Sequence, residues 1–148
     1  SVYGSEHTLG GNIIVIGGGQ VGCETALHLV KLGKTVTVIE MQSALAPDAS
    51  KTHRDELMVE IEKEHGFVSL TSARCVSVTS SSVTFTKDGK ERTVFADDVI
   101  LAAGMRAKME EADAFIGTAP EFAEIGDCVK ARTVEWATKD AYYAAVNL

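Results

Sequence analysis

The rhythm of apolar and polar positions changes several times along this chain. Asn12-Ile13-Ile14-Val15-Ile16 is a short β-branched run, the pattern of a strand buried on both faces, as in a parallel sheet. Gly17-Gly18-Gly19 ends it. From Gln20 to Leu32 the spacing becomes helical, with Val21, Thr25, Ala26, Leu29, Val30 and Leu32 near one face, and Gly33 stands at the C′ position that stops the helix. Residues 35–39 form a second β-branched strand, followed directly by Glu40.

After a loop holding Pro47 and Asp48, Thr52-His53-Arg54-Asp55 has capping-box spacing, with Thr52 as N-cap. The helix it predicts runs to about Glu64, with Leu57, Met58 and Ile61 inward and Glu56, Glu60, Glu62 and Glu64 on a solvated face. Gly66 ends it, and residues 67–70 make a third strand. Segments 74–79, 82–86 and 92–95 then alternate with period two, and Asp88-Gly89 signals a hairpin, so they predict an antiparallel meander. Val99-Ile100-Leu101-Ala102-Ala103 is a fourth buried strand ended by Gly104. Residues 105–120 are irregular, 121–125 read as a fifth strand closed by Gly126-Asp127, and 133–147 as a last helix. The order implies an α/β fold: a Rossmann-like three-layer domain, its parallel sheet interrupted by an antiparallel meander.

Length and composition narrow the partners. With 148 residues and 45% apolar positions, the chain has the size of one domain and enough for a core. Its net charge of -7 argues against a nucleic-acid surface, which needs clustered Lys and Arg. No apolar run approaches the ~20 residues that span a bilayer, and residues 1–8 lack the apolar core of a signal peptide. Cys23, Cys75 and Cys128 are far apart and odd in number, which suits reduced, buried structural thiols in a cytoplasmic protein. The four histidines lack metal-ligand spacing, so no metal site is expected.

The chemistry lies at Gly17-x-Gly19-x-x-Gly22, after a strand and at the opening of a helix. Gly17 permits the tight turn, Gly19 lets backbone approach a pyrophosphate, and Gly22 allows close helix–strand packing. The first helical turn offers unpaired N–H groups and a positive dipole end to phosphates. Glu40, 18 residues after Gly22, ends the second strand, where an acid accepts from an adenosine ribose 2′-OH. No Lys or Arg lies between Glu40 and Ser50. A 2′-phosphate beside Glu40 would meet repulsion of at least ~1 kcal/mol, so NAD(H) is expected over NADP(H). The fingerprint alone also admits FAD.

Residues 13–29, Val99–Arg106 (Val-Ile-Leu-Ala-Ala-Gly-Met-Arg) and Glu124-Ile125-Gly126-Asp127-Cys128 together resemble two-dinucleotide flavoprotein reductases. The resemblance covers about residues 12–148 and is nearest to the old-yellow-enzyme-like iron–sulfur flavoenzymes, such as 2-enoate and 2,4-dienoyl-CoA reductases and NADH:flavin oxidoreductases. It implies an NAD(H)-binding domain at 12–104, with 1–11 as a linker or tail and 105–148 matching the end of a flavin-type domain. It further implies cofactor contacts at Gly17, Gly18, Gly19, Gln20, Val21, Gly22, Glu24, Glu40, Met41, Ala103 and Gly104, and at Asp127 toward a flavin. In related reductases the position of Gln20 gates the nicotinamide and that of Glu24 lies beside it; here Glu24 equally suits a dipole-complementing residue. Two departures are Ala107-Lys108 in place of Pro-Asn, and Asp140-Ala141 in place of Asp-Gly.

On this reading the chain is part of an NADH-dependent flavin oxidoreductase acting on an unsaturated substrate, and is inactive alone. FAD belongs to the intact enzyme rather than to this chain, and FMN and an iron–sulfur cluster to missing flavin and barrel domains, its partners. A non-catalytic NAD-sensing module is the alternative. The fifth strand is expected to add parallel to the fourth, giving the order 3-2-1-4-5 with Asp127 on the cofactor side.

Overall fold

A computed structural model describes residues 4–147. The chain divides into two compact units, Ser1–Gly104 and Met105–Leu148. In the first, strands β1 (Asn12–Ile16), β2 (Thr35–Ile39), β3 (Phe67–Leu70) and β7 (Asp98–Leu101) form a parallel sheet in the order β3-β2-β1-β7. Strands β4 (Arg74–Val78), β5 (Ser82–Lys87) and β6 (Lys90–Phe95) form the antiparallel meander. Helices α1 (Gln20–Lys31) and α2 (Lys51–Glu62) complete the unit.

Alternation along β1 explains the three layers. Ile13 and Val15 face the helices, joining Val36, Val38, Cys23, Ala26, Leu29, Val30 and Leu57 in one core. Ile14 and Ile16 face the other way, joining Ile39, Ala73, Val83 and Phe85 under the meander. A strand paired on both sides and covered on both faces has no polar face, so its sequence is a continuous apolar run. The meander turns at Asp88 and Gly89, both at positive φ (53° and 70°), as a two-residue hairpin requires.

Helix α1 ends in a Schellman motif. Gly33, at φ 83°, donates to Val30 O, and Lys34 donates to Leu29 O. Its buried face is Cys23, Thr25, Ala26, Leu27, Leu29 and Val30. Val21 and Leu32, expected inward, are 67% and 53% exposed, because they fall at the helix ends beyond the sheet's cover.

Several further expectations are corrected. Ser50, not Thr52, is the N-cap of α2: its Oγ accepts from His53 N at 3.4 Å, and the helix starts one residue before Thr52. The expected buried strand at 99–103 is the half-buried edge strand β7, which ends at Leu101; among the described residues β7 pairs with β1 alone, and Leu101 is 72% exposed. Cys23 is buried, but Cys75 and Cys128 are only half-buried. Apart from these corrections, Gly10 N donates to Asp98 Oδ2, Asn12 N to Asp97 Oδ2, and Leu9 touches the helix-side core.

The second unit holds a short helix α3 (Met109–Asp113), a 3-10 turn at Gly126–Cys128 and α4 (Val134–Asn147). Residues 121–125 form no strand, so the expected fifth strand and the order 3-2-1-4-5 do not occur among the described residues. The segment is short, its apolar residues Phe122 and Ile125 stand three apart rather than at strand spacing, and extended backbone becomes a strand only with a paired neighbour. Arg132 instead organises this unit. Its Nη2 meets Asp140 Oδ2 at 2.5 Å, and its guanidinium lies 4.7 Å from the centre of the Trp136 ring.

Candidate functional site

The carboxyl ends of β1, β2 and β7 bring together three segments distant in sequence. Gly17 N donates to Ile39 O at 2.9 Å, and Ala102 N donates to Ile16 O at 2.8 Å. Gly17 adopts φ 103°, and a Cβ there would lie 2.4 Å from Ala102 O. A Cβ on Gly22 would lie 1.9 Å from Gly17 O. Both contacts are with backbone, which cannot swing aside, so glycine is required for the turn to close against the sheet.

Gly18 has a role that the GxGxxG pattern does not give it, since it occupies a variable position. It is buried, and its Cβ would strike the Glu40 Cβ and Leu45 Cδ2, each at 2.8 Å. Its N–H donates to Glu40 Oε2 at 2.6 Å, while Gln42 N donates to Glu40 Oε1 at 2.6 Å. Glu40 is 6% exposed, so these bonds hold a nearly buried carboxylate at the end of β2. A carboxylate has about four lone-pair sites, so acceptor capacity remains for a diol.

Gly19 is the N-cap of α1, with no side chain of its own to cap with. The cap comes from the loop after β2: Gln20 N donates to Asp48 Oδ1 at 2.8 Å. Both Asp48 oxygens lie 3.3 Å from where a Gly19 Cβ would stand. The loop is held by Ala46, whose N donates to Gly18 O at 2.7 Å from a left-handed φ of 45°, and by Arg54 Nε on Leu45 O. Sequence reasoning passed over Asp48, because its partner is 28 residues away and no local spacing marks it.

Gln20 and Glu24 act as a pair on α1. Gln20 Nε2 donates to Glu24 Oε1 at 3.0 Å, and His53 Nε2 of α2 meets the same oxygen at 2.7 Å. Val21 and Met41 are exposed beside the turn and after Glu40. Ala103 and Gly104 are exposed beyond β7, and Gly104 takes φ 89°. Asp127 lies in the second unit, exposed, its Oδ1 accepting from Arg132 N at 3.3 Å. Cys23, buried under the turn, gives its thiol hydrogen to Gly18 O, and burial pushes its pKa up to about 11. A protonated thiol there is packing, not a nucleophile.

A central strand, a glycine turn packed on it, a helix starting at that turn and an acid ending the next strand define a Rossmann-like dinucleotide-binding fold. The profile of the pyridine nucleotide-disulphide oxidoreductase family matches residues 3–120, and the chain belongs to that family. Bilirubin reductase of Mediterraneibacter gnavus (strain CC55_001C) is 32% identical over 145 residues, which are 97% of this chain and 22% of that protein. Cinnamate reductase of Clostridium sporogenes is 29% identical over 157 residues, 99% of this chain and 23% of that protein. Among solved structures, 2-naphthoyl-CoA reductase in complex with 2-naphthoyl-CoA superimposes with a TM-score of 0.80 at 31% identity, over 95% of this chain and 21% of its own. The chain thus spans between a fifth and a quarter of the length of these relatives.

Proposed function

We propose that this chain holds NADH for a flavin-dependent oxidoreductase of the old-yellow-enzyme-like type that reduces an unsaturated organic substrate. The observation that carries the reading is the Glu40 carboxylate, nearly buried at the end of β2 and fixed against the glycine turn by Gly18 N–H. Held there, it accepts from the adenosine ribose hydroxyls, and its charge disfavours a 2′-phosphate. The residues fit the dinucleotide on a second count: the Cβ atoms that Gly17 and Gly22 lack would collide with backbone, so the turn can form only with glycine. The first-turn N–H groups of α1 then face the pyrophosphate. Bound NADH would supply a hydride to a flavin, and the chain's own share is binding and orientation.

The substrate class is supported by the relatives' names: a bilirubin reductase, a cinnamate reductase and a 2-naphthoyl-CoA reductase. Flavin and barrel partners outside residues 1–148 are supported by the small share of those proteins that the chain spans. Calorimetric titration of the chain with NADH, NADPH and FAD tests the reading. NADH is expected to bind tightest, and the purified chain to carry no stoichiometric FAD. Tighter binding of NADPH, or one FAD released per chain on denaturation, would overturn it.

A further inference from the structure

We infer that Asp48 is a built-in competitor of the dinucleotide, a carboxylate that stands at the phosphate end of α1 and must be displaced for the pyrophosphate to dock. The inference rests on the proposed NADH reading of the same turn. Gln20 N, one of the N–H groups that a pyrophosphate would use, is already bonded to Asp48 Oδ1 at 2.8 Å. The room left by the missing Gly19 side chain is bounded by both Asp48 oxygens, each 3.3 Å from the ideal Cβ position. A glycine there keeps space for an approaching anion, and an anion of the chain stands at its edge.

Charge makes coexistence unfavourable. A pyrophosphate diester carries two negative charges, and like charges at contact distance repel, more strongly where protein lowers the dielectric. The same dipole and N–H groups that stabilise Asp48 would stabilise the pyrophosphate, so the two compete for one attraction. Displacement is mechanically simple. The loop backbone is anchored next door by Ala46 N on Gly18 O, while the Asp48 side chain is exposed and can rotate into solvent without moving the core. Binding therefore exchanges one cap for another, and part of the dinucleotide's affinity is spent on releasing Asp48. In return, Asp48 keeps α1 capped whenever the dinucleotide is absent.

The experiment compares the chain with Asp48→Asn and Asp48→Ala by NADH calorimetry and by melting with and without NADH. Asn keeps an oxygen that can cap Gln20 N but removes the charge; Ala removes both. Expected without NADH is a lower melting temperature for Asp48→Ala and a smaller change for Asp48→Asn. Expected with NADH is a dissociation constant reduced roughly three- to tenfold in Asp48→Ala, as loss of one cap implies, with Asp48→Asn between. The NADH-induced rise in melting temperature should be largest in Asp48→Ala. Folded variants that bind NADH as the unsubstituted chain does, or more weakly, would overturn the inference while leaving the NADH reading intact. Failure of the unsubstituted chain to bind NADH would overturn both.

Discussion

Gly18 and Glu40 are fixed to each other: the glycine N–H donates to the carboxylate at 2.6 Å, and the glycine's missing side chain leaves the space that the Glu40 Cβ fills. Shape and charge at the end of β2 therefore depend on the turn after β1. Replacing Glu40 by Ala leaves the Gly18 and Gln42 N–H groups without their acceptor, at a cost of about 1–3 kcal/mol for the buried Gly18 N–H and less for Gln42, which water can reach. NADH affinity should fall roughly tenfold or more, NADPH affinity should fall less, and the gap between them should narrow. Parallel titrations of the two nucleotides check this.

Two glycines separate packing from conformation. In Gly22→Ala the new Cβ meets Gly17 O at 1.9 Å, so the turn itself must open. A loss of about 3 kcal/mol or more and loss of NADH binding are expected. In Gly33→Ala nothing lies within 4 Å of the new Cβ, and only the positive φ of 83° is strained. Its cost should be about 1 kcal/mol, with NADH binding unchanged. Denaturant titration and calorimetry on both variants provide the comparison.

The buried Cys23 thiol sets a pH dependence. Burial raises its pKa from 9.0 to about 11, so the folded chain keeps the proton that the unfolded chain gives up. The stability from this site is fully present below pH 9, falls as the pH rises, and is lost by about 11. The slope between these values is ~1.4 kcal/mol per pH unit. Melting curves from pH 8 to 11 should show this decline, and Cys23→Ala should flatten it. Brief alkylation at pH 8 should label Cys75 and Cys128 before Cys23; prompt labelling of Cys23 would contradict its inert role.

In the second unit, Asp140 accepts from both Arg132 and Gly126 N, and Arg132 lies over the only tryptophan, Trp136. Asp140→Ala should free the guanidinium and loosen the turn at Gly126. The expected cost is about 1–2 kcal/mol, because the pair is only partly exposed. Trp136 emission should shift, with no change in the circular dichroism of the sheet. Unaltered emission would count against this coupling.

The β1–α1–β2 core could be read from sequence because each signal there is local: a β-branched run, a glycine spacing, a Gly at C′. The meander could be read for the same reason, since Asp88-Gly89 specifies its own turn. Residues 121–125 form no strand because strand formation depends on a paired neighbour, which a five-residue segment with Phe122 and Ile125 three apart does not specify. The N-cap of α2 differs because Ser50 and Thr52 are both competent caps, and a shift of two residues decides between them. Within the site, the glycines and Glu40 were visible as spacing. Asp48 was not, since only the folded loop, turning at Ala46, delivers it to α1.

The glycine turn hangs from β1, which with β2 is one of the two strands that pair on both sides within the parallel sheet. Backbone amides there open to solvent only when the whole unit does, so the slowest hydrogen exchange should fall on Ile13–Ile16 and Val36–Ile39. A loop tethered to such a strand would meet the proposed dinucleotide already ordered. Little conformational entropy remains to be lost when the ligand docks, and the association should carry a correspondingly small entropic penalty.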